Sequence, residues 1–224
     1  MNSATPNLEQ SRFNMVEQQI RPWEVLNQAV LDLLYLVPRE RFVPEQYRAL
    51  AFSDLEIPLG PVPNQRMWAP KMEARVLQEL GLEKTDRVLE IGTGSGYFAA
   101  LLSHCAGKVI SVELSPGLAA LGERNLAAAG IHGVVVEQGD GAKGYSRHGP
   151  YDVIVLTAST PVVPDVLFEQ LKSGGRIFAI VGDEPVMTAQ ILSQDASGTI
   201  YRKELFETCI AALENAVQPV RFHF

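Results

Sequence analysis

The run Val88-Leu89-Glu90-Ile91-Gly92-Thr93-Gly94-Ser95-Gly96-Tyr97 constrains the fold of this chain more than any other stretch. An apolar segment ends in an acid, then in three glycines at alternate positions, then in a helix-forming segment. Glycine lets the backbone turn sharply and lets a ligand approach it closely. The helix that follows offers its positive N-terminus to whatever lies across the turn. Such a strand–turn–helix belongs on a parallel sheet and reads as a nucleotide-type cofactor site.

The residues after it keep the same rhythm. Strand-like runs are expected at Arg87–Ile91, Val109–Glu113, Val134–Gln138, Asp152–Leu156 and Arg176–Val181. Between them the clearest helix is Ser115–Gly130, with Ser115 as N-cap, Pro116 in the first turn and Gly130 as C-cap. Strands that are apolar without alternation, separated by helices, imply a parallel sheet covered on both faces. Met187–Leu192 and Ile200–Phe206 flank Asp195-Ala196-Ser197-Gly198, which predicts a hairpin and an antiparallel finish. The expected class is α/β: a Rossmann-like, mostly parallel sheet with an antiparallel C-terminal hairpin.

The N-terminal third reads differently. Residues 1 to about 10 look like a loose leader. From Trp23 to Val37, Leu26, Val30, Leu33 and Val37 recur at helical spacing, with Ala29 and Leu34 beside them. Pro38 and Pro44 then break the chain. Ala51–Pro70 holds four prolines after Asp54 and few periodic apolar residues. It reads as a long irregular segment, and such loops are disproportionately functional. Pro70 suits a first helical position, and Met72, Val76 and Leu80 form a stripe that Gly81 ends. The expected division is 1–69 as a helical extension with a substrate or lid segment and 70–224 as the Rossmann-like domain, packed as a single globular unit.

At 224 residues the chain can bury one full core. Its 19 Lys and Arg against 26 Asp and Glu give a formal charge of -7, which argues against sequence-independent nucleic-acid binding. Its first twenty residues lack the apolar core of a secretory signal, and no stretch approaches the roughly 20 apolar residues of a membrane helix. Two cysteines, Cys105 and Cys209, make no disulfide framework. The expectation is a cytoplasmic protein with neither a nucleic-acid nor a membrane partner.

Two readings compete for the glycine loop. Gly94, Gly96 and Ala99 fit the G-x-G-x-x-G/A of a dinucleotide fold. Glu90, Gly92, Gly94 and Gly96 fit E-x-G-x-G-x-G, which resembles motif I of S-adenosylmethionine-dependent methyltransferases. Both assign Glu113, at the end of the second strand, to ribose hydroxyls, because a carboxylate accepts two hydrogen bonds from a cis-diol. S-adenosylmethionine has no pyrophosphate to seat on the helix. Its sulfonium and amino group favour acids and carbonyls, and Glu90 is placed where an acid is useful. Asp140, in Gln138-Gly139-Asp140-Gly141, ends the third strand, where such an enzyme contacts the adenine.

The resemblance is wider than the loop. From Pro38 onward the chain resembles the protein-L-isoaspartate (D-aspartate) O-methyltransferase family. Pro38-Arg39-Glu40-Arg41-Phe42-Val43-Pro44 is similar to that family's entry segment. Ala51-Phe52-Ser53-Asp54 and Ile57-Pro58-Leu59-Gly60 resemble its Ala-Tyr-x-Asp and Leu-Pro-Ile-Gly signature. Glu90–Gly96 resembles its motif I and Gly139-Asp140-Gly141 its Gly-Asp-Gly. Thr157-Ala158, Val163-Pro164, Gln170-Leu171, Gly174-Gly175-Arg176 and Val220-Arg221-Phe222 resemble its later strands. The resemblance implies S-adenosylmethionine as cofactor, held by Glu90, Gly92, Thr93, Gly94, Gly96, Glu113, Leu114, Asp140, Gly141 and Thr157, with no metal. It also implies an isoaspartyl-containing protein or peptide as partner, esterified on its side-chain carboxylate in protein repair. An acceptor that is already ionised needs no general base, so the rate must come from alignment and exclusion of water. The scattered His104, His132, His148 and His223 accordingly read as structural or solvated.

At one place the chain departs from the family. The family carries Gln-Thr-Ile-Ser, a small residue and Pro before the helix; here stand Gln65-Arg66-Met67-Trp68-Ala69-Pro70. Trp68 takes the place of a serine held to orient the substrate carboxylate, and Arg66 that of the threonine. Asp54, Arg66 and Trp68 are the expected acceptor-side residues: Arg66 as a planar fork for a carboxylate, Trp68 as a cover for the sulfonium or as packing. A diverged methyltransferase with another, smaller acceptor and a non-catalytic binding protein are the alternatives.

Overall fold

The computed structural model describes residues 8–195 and 197–219. The chain divides into two compact units, Met1–Gly81 and Leu82–Phe224.

The larger unit is built on a sheet of seven strands: β3 (Arg87–Ile91), β4 (Lys108–Glu113), β5 (Val134–Gln138), β6 (Tyr151–Thr160), β7 (Leu171–Asp183), β8 (Val186–Gln194) and β9 (Ile200–Thr208). Their order across the sheet is β5-β4-β3-β6-β7-β8-β9. The first five run parallel, and β8 and β9 return antiparallel. Helices α4 (Tyr97–Cys105), α5 (Pro116–Ala128) and α6 (Asp165–Glu169) lie between them in sequence. Buried Leu89, Ile91, Ile110, Val112, Ile154, Leu156 and Ile177 form the heart of the core. Each such side chain contributes about 1.5–3 kcal/mol by leaving water. The order of connection reverses at β3, whose neighbours are β4 and β6. Ligands of open α/β sheets bind beyond the carboxyl ends of the strands at such a switch point.

Ser115 caps α5 as expected, its Oγ accepting from Leu118 N–H at 3.4 Å, and Gly130 follows the helix with φ +72°. Of the strands that run longer than expected, β6 and β7 are extended the most. β6 continues past Leu156 to Thr160, with a register shift against β7 between Val155 and Ser159. β7 begins at Leu171 and forms with β8 a second hairpin beyond the one expected. In both cases hydrogen-bonded pairing continues beyond the apolar run, and the apolar run is all that the sequence displays. The β8–β9 hairpin stands where expected; Asp195 Oδ1 accepts from the Ser197 and Thr199 N–H groups at 2.9 and 3.0 Å. Ala196, the expected closing segment Val220-Arg221-Phe222, and His223 lie outside the described residues.

In the smaller unit α1 (Leu8–Met15) passes into one π turn, Val16–Ile20, and a 3-10 turn, Arg21–Trp23. The expected loose leader is therefore corrected at Leu8–Gln10, which are helical; residues 1–7 lie outside the described residues. The expected stripe is corrected at Leu26. Asn27 is the N-cap of α2 (Gln28–Leu36), its Oδ1 accepting from Ala29 N–H at 3.0 Å. Leu26 precedes the helix and is 73% exposed, while Val30, Leu31, Leu33 and Leu34 are buried. The segment read as irregular contains a small ribbon, in which β1 (Ile57–Pro58) pairs antiparallel with β2 (Arg66–Met67).

Helix α3 (Pro70–Leu80) ends at Gly81, φ +54°, as expected. The division at Gly81 differs from the expected 69/70 boundary because α3 is tied to the helices before it. Gln78 Oε1 accepts from the N–H groups of Leu26 and Asn27 at 2.8 and 2.9 Å. Gln78 Nε2 donates to Glu24 O at 3.0 Å, and Arg75 Nη1 donates to Trp23 O at 3.1 Å.

Candidate functional site

The glycine loop closes on itself through backbone geometry. Gly92, Gly94 and Gly96 have φ of +103°, +53° and +82°, values that L side chains seldom adopt. Gly92 carries a second constraint, since a Cβ there would stand 2.2 Å from Thr157 Oγ1. Thr157 lies in the register shift of β6, and such irregularities re-aim side chains. Its hydroxyl lies 2.9 and 2.8 Å from the carbonyl oxygens of Ile91 and Gly92, tying β6 to the turn.

Glu113, at the end of β4, braces the other side of the loop. Its Oε2 accepts from Gly94 N–H at 2.9 Å and its Oε1 from Ser115 N–H at 3.0 Å. A carboxylate offers about four lone-pair sites, so two such bonds leave it capacity for a diol. Leu114, next in sequence, is half-buried.

Beneath the loop runs a chain of hydroxyls. Thr93 Oγ1 lies 2.6 Å from Ser111 Oγ, and Ser111 donates to Glu90 Oε2. An ionised carboxylate only accepts, so with Glu90 charged the Ser111 proton points to Glu90 and Thr93 must donate to Ser111. Glu90 is 0% exposed. Room for Thr93 comes from Gly122 on α5, where a Cβ would stand 2.6 Å from Thr93 Cγ2. Asn125 Nδ2 donates to Ser95 O at 2.9 Å and holds the far end of the loop.

The turn after β5 completes the group. Gly139 N–H donates to Glu113 O at 2.9 Å. A Cβ on Gly141 would stand 2.6 Å from Ile91 Cγ2, so glycine lets this turn lie against the end of β3. Asp140 Oδ1 accepts from Ala142 N–H at 3.0 Å and its Oδ2 from Asn215 Nδ2 at 3.1 Å. The cofactor candidates read from sequence thus gather at the carboxyl ends of β3, β4, β5 and β6.

The acceptor-side candidates lie in the smaller unit, each with its own partner. Asp54 Oδ2 pairs with Lys71 Nζ at 2.7 Å, and the same ammonium stands 5.3 Å from the centroid of the Trp23 ring. Arg66 is exposed, and its Nε–H donates to Pro63 O at 3.0 Å. Trp68 is 6% exposed, and its carbonyl accepts from Arg39 Nη2 at 2.6 Å. Arg39 also donates through Nε to Ala51 O at 2.9 Å and pairs through Nη1 with Glu73. Burial pushes the Glu73 carboxyl up to about 8, against the pull of the Arg39 guanidinium.

The histidines make no nucleophile–base pair among the described residues. His148 Nε2 lies 2.7 Å from Glu137 Oε1, the His104 imidazole is held below its usual range by burial, and His132 is exposed. No cluster of His, Cys, Asp and Glu suited to a metal occurs among the described residues. Sequence reading missed Ser111, Asn125, Arg39 and Glu73. Two of them carried a signal: Ser111 interrupts an apolar strand, and Glu73 lies on the apolar face of α3. A polar group on a buried face must have a partner.

Comparison with known proteins decides between the two readings of the loop. The family model for protein-L-isoaspartate(D-aspartate) O-methyltransferase (PCMT) matches residues 10–217. The chain belongs to that family. A protein-L-isoaspartate O-methyltransferase of Methanospirillum hungatei is 45% identical over 175 residues, covering 78% of this chain and 80% of that one. Protein-L-isoaspartate O-methyltransferase 1 of Archaeoglobus fulgidus is 43% identical over 172 residues, covering 75% and 79%. A solved protein-L-isoaspartate O-methyltransferase superposes with a TM-score of 0.78 at 27% identity, over 92% of this chain and 65% of that one. A Plasmodium falciparum structure in complex with S-adenosyl-L-homocysteine shares the fold at a TM-score of 0.75, with 18% identity over 90% and 97% of the two chains. The activity is therefore that of the family, S-adenosylmethionine-dependent methylation of an isoaspartyl carboxylate in protein repair. The dinucleotide reading of the loop is set aside. Among the described residues no helix is long and apolar enough to cross a membrane.

Proposed function

We propose that the Gly92–Gly96 turn, Glu113, Leu114, Asp140, Gly141 and Thr157 hold S-adenosylmethionine, and that Asp54, Arg66 and Trp68 belong to the face that receives the isoaspartyl peptide. The observation that carries the first part is the bracing of the loop by Glu113. A carboxylate fixed by two backbone N–H groups presents its remaining lone pairs in a set direction, which suits a ribose diol and costs little ordering on binding. Glu90 is sealed below the loop, so it acts on the site through Ser111 and Thr93. The cofactor supplies an electrophilic methyl group on a cationic sulfur.

The chain's own residues bind, orient and exclude water. The acceptor carboxylate is ionised at neutral pH, as aspartate with a pKa of about 3.9 is, and it needs no proton removed. That agrees with the lack of a nucleophile–base pair among the described residues, where the His148 ring is bound to Glu137 and His132 is exposed. Arg66 provides a planar fork for the acceptor carboxylate. Lys71 holds Asp54 in place. The formal charge of -7 and the free thiols of Cys105 and Cys209 favour a partner other than nucleic acid and a reducing, cytoplasmic setting.

The test is transfer of labelled methyl from S-adenosylmethionine to an isoaspartyl peptide beside the matched aspartyl peptide. Base-labile label on the isoaspartyl peptide alone is expected. Label on neither, with cofactor still bound, would turn the reading to another acceptor, which Trp68 in the family's serine position gives reason to consider. Glu113→Ala is expected to weaken cofactor binding about tenfold or more, the scale of lost hydrogen bonds to a charged group. Unchanged affinity in calorimetry would remove Glu113 from the ribose role.

A further inference from the structure

The smaller unit contains a buried charge whose contacts are directed at the backbone. Arg39 is 1% exposed and Glu73 is 2% exposed. The Arg39 guanidinium donates in three directions: Nε to Ala51 O at 2.9 Å, Nη2 to Trp68 O at 2.6 Å, and Nη1 to Glu73. Ala51 and Trp68 bracket the chain that carries Asp54 and Arg66. A second tether holds the same start, since Gln19 Nε2 donates to Phe52 O at 3.1 Å. Between the brackets β1 and β2 pair, and Leu59 N–H donates to Gln65 O at 2.9 Å. The segment is thus a ribbon-necked loop whose two ends are joined by one planar cation.

Burying an unpaired charge is costly, and a buried ion pair gives little net stability over apolar packing of the same volume. A leucine–methionine contact would close this core as well. What apolar residues cannot supply is three rigidly oriented donors in one plane. Loop ends are otherwise defined only by local turns, and closing a loop costs entropy that some contact must offset.

We propose that Arg39 is the positioning residue for acceptor recognition: its guanidinium clamps the carbonyls of Ala51 and Trp68, and so presets the segment that receives the isoaspartyl peptide. Glu73 is the orienting partner, fixing the guanidinium plane from α3. This rests on the proposed assignment of that segment to the acceptor. The clamp acts through the loop and touches neither methyl donor nor acceptor. It therefore governs peptide affinity and leaves cofactor affinity alone.

The experiment is steady-state kinetics of Arg39→Lys, which keeps a cation opposite Glu73 but replaces the planar fork by a single ammonium. Isoaspartyl peptide is varied at saturating S-adenosylmethionine, and S-adenosylhomocysteine binding is measured by calorimetry. The peptide KM is expected to rise about tenfold, the equivalent of one charge-assisted hydrogen bond. S-adenosylhomocysteine affinity is expected to change less than about twofold, since Arg39 lies outside the cofactor group. Amide hydrogen exchange is expected to quicken between 51 and 68 and not in β3 or β4, whereas a general loss of stability quickens both. An unchanged peptide KM, or equal loss of peptide and S-adenosylhomocysteine affinity, overturns the proposal.

If Arg39→Lys does not fold, Glu73→Gln decides the matter. It keeps an acceptor for Nη1, and it must show the same local exchange and a smaller rise in peptide KM; the lack of either overturns the proposal. Asp54→Ala and Arg66→Ala separate the two readings. If they leave the peptide KM unchanged while Arg39→Lys raises it, the acceptor roles of those side chains fall and the clamp stands. If they raise it and Arg39→Lys does not, the clamp falls.

Discussion

The unit from Leu82 and the unit up to Gly81 make their functional segments rigid in opposite ways. In the larger unit the proposed cofactor group sits at strand ends, and its geometry is a property of the backbone. Positive φ at Gly92, Gly94 and Gly96, the strand-borne hydroxyls of Ser111 and Thr157, and the N–H groups on Glu113 all follow from the sheet. In the smaller unit the segment from Ala51 to Trp68 has only a two-residue ribbon of its own. One buried guanidinium reaching across the chain joins its ends, and Gln19 also holds its start. A sheet-borne site inherits order from a cooperative ladder, so its weak points are glycines. A loop held by a side chain has its weak points at the clamp and at what packs beneath it.

The sharpest way to break this contrast is at Gly92. Alanine there forces a Cβ to 2.2 Å from Thr157 Oγ1 at φ +103°, and backbone strain with overpacking of this kind costs about 2–4 kcal/mol. Gly92→Ala is expected to lower S-adenosylmethionine affinity by about 100-fold or more and to lower the melting temperature. Near-normal affinity in calorimetry would show that the turn tolerates distortion, and the backbone-rigidity argument would fail.

The matching change in the other unit is Trp68→Ser, which restores the family's residue type. Trp68 is 6% exposed, and truncating a buried tryptophan costs about 3–5 kcal/mol. Chemical denaturation is expected to show that loss while the folded fraction binds S-adenosylmethionine normally. Full stability would mean that the indole contributes little packing. A rise in turnover of isoaspartyl peptide would mark Trp68 as an obstacle to the acceptor.

Ser111→Ala probes the sheet-borne side more gently. It removes the group between Thr93 and Glu90 and leaves both without this partner, at a cost of about 1–3 kcal/mol in stability. S-adenosylmethionine affinity is expected to fall roughly three- to tenfold as Thr93 loosens the loop. Normal affinity with reduced stability would make the hydroxyl chain a matter of core packing alone.

The same contrast governs what is legible in the sequence. A glycine with positive φ, an N-cap serine at 115 and apolar strands are local, and local signals survive in sequence. So the parallel sheet, the hairpin after β8 and the gathering of Glu90, Gly92, Glu113 and Thr157 are readable. The ends of β6 and β7 are not, because hydrogen-bond ladders continue through polar residues. Leu26 is misplaced because the periodicity extends back past an asparagine whose N-capping role starts the helix. Arg39 is invisible as a clamp. Its partners are Ala51, Trp68 and Glu73, two of them backbone carbonyls, and a carbonyl has no letter in the sequence. Asp54, read as a substrate-side acid, acquires Lys71 as a partner through the same long-range closure.

The smallest expected effect lies away from both segments, at Glu137 on the edge strand β5. Tyr145 donates its hydroxyl to one carboxylate oxygen, and His148 Nε2 lies 2.7 Å from the other. The Tyr145 hydrogen bond first, and the His148 bond second, hold the Glu137 carboxyl below its ordinary value of 4.5. A carboxyl with a depressed value in the folded protein binds fewer protons there than in the unfolded chain. Its contribution to stability is therefore present above pH 4.5 and is lost as pH falls through the lower folded value. Glu137→Gln is expected to flatten the acid limb of the stability profile below that pH and to leave S-adenosylmethionine binding at neutral pH unchanged. This separation is expected because the Glu137 carboxylate is bonded to Tyr145 and His148, whereas Asp140, in the turn after β5, is held by Ala142 N–H and Asn215 Nδ2. A fall in cofactor affinity in parallel with the acid limb would mean that the turn from Gly139 to Tyr145 transmits strain to Glu113 through the bond from Gly139 N–H, and that the sheet-borne site is less insulated from its edge than its backbone geometry implies.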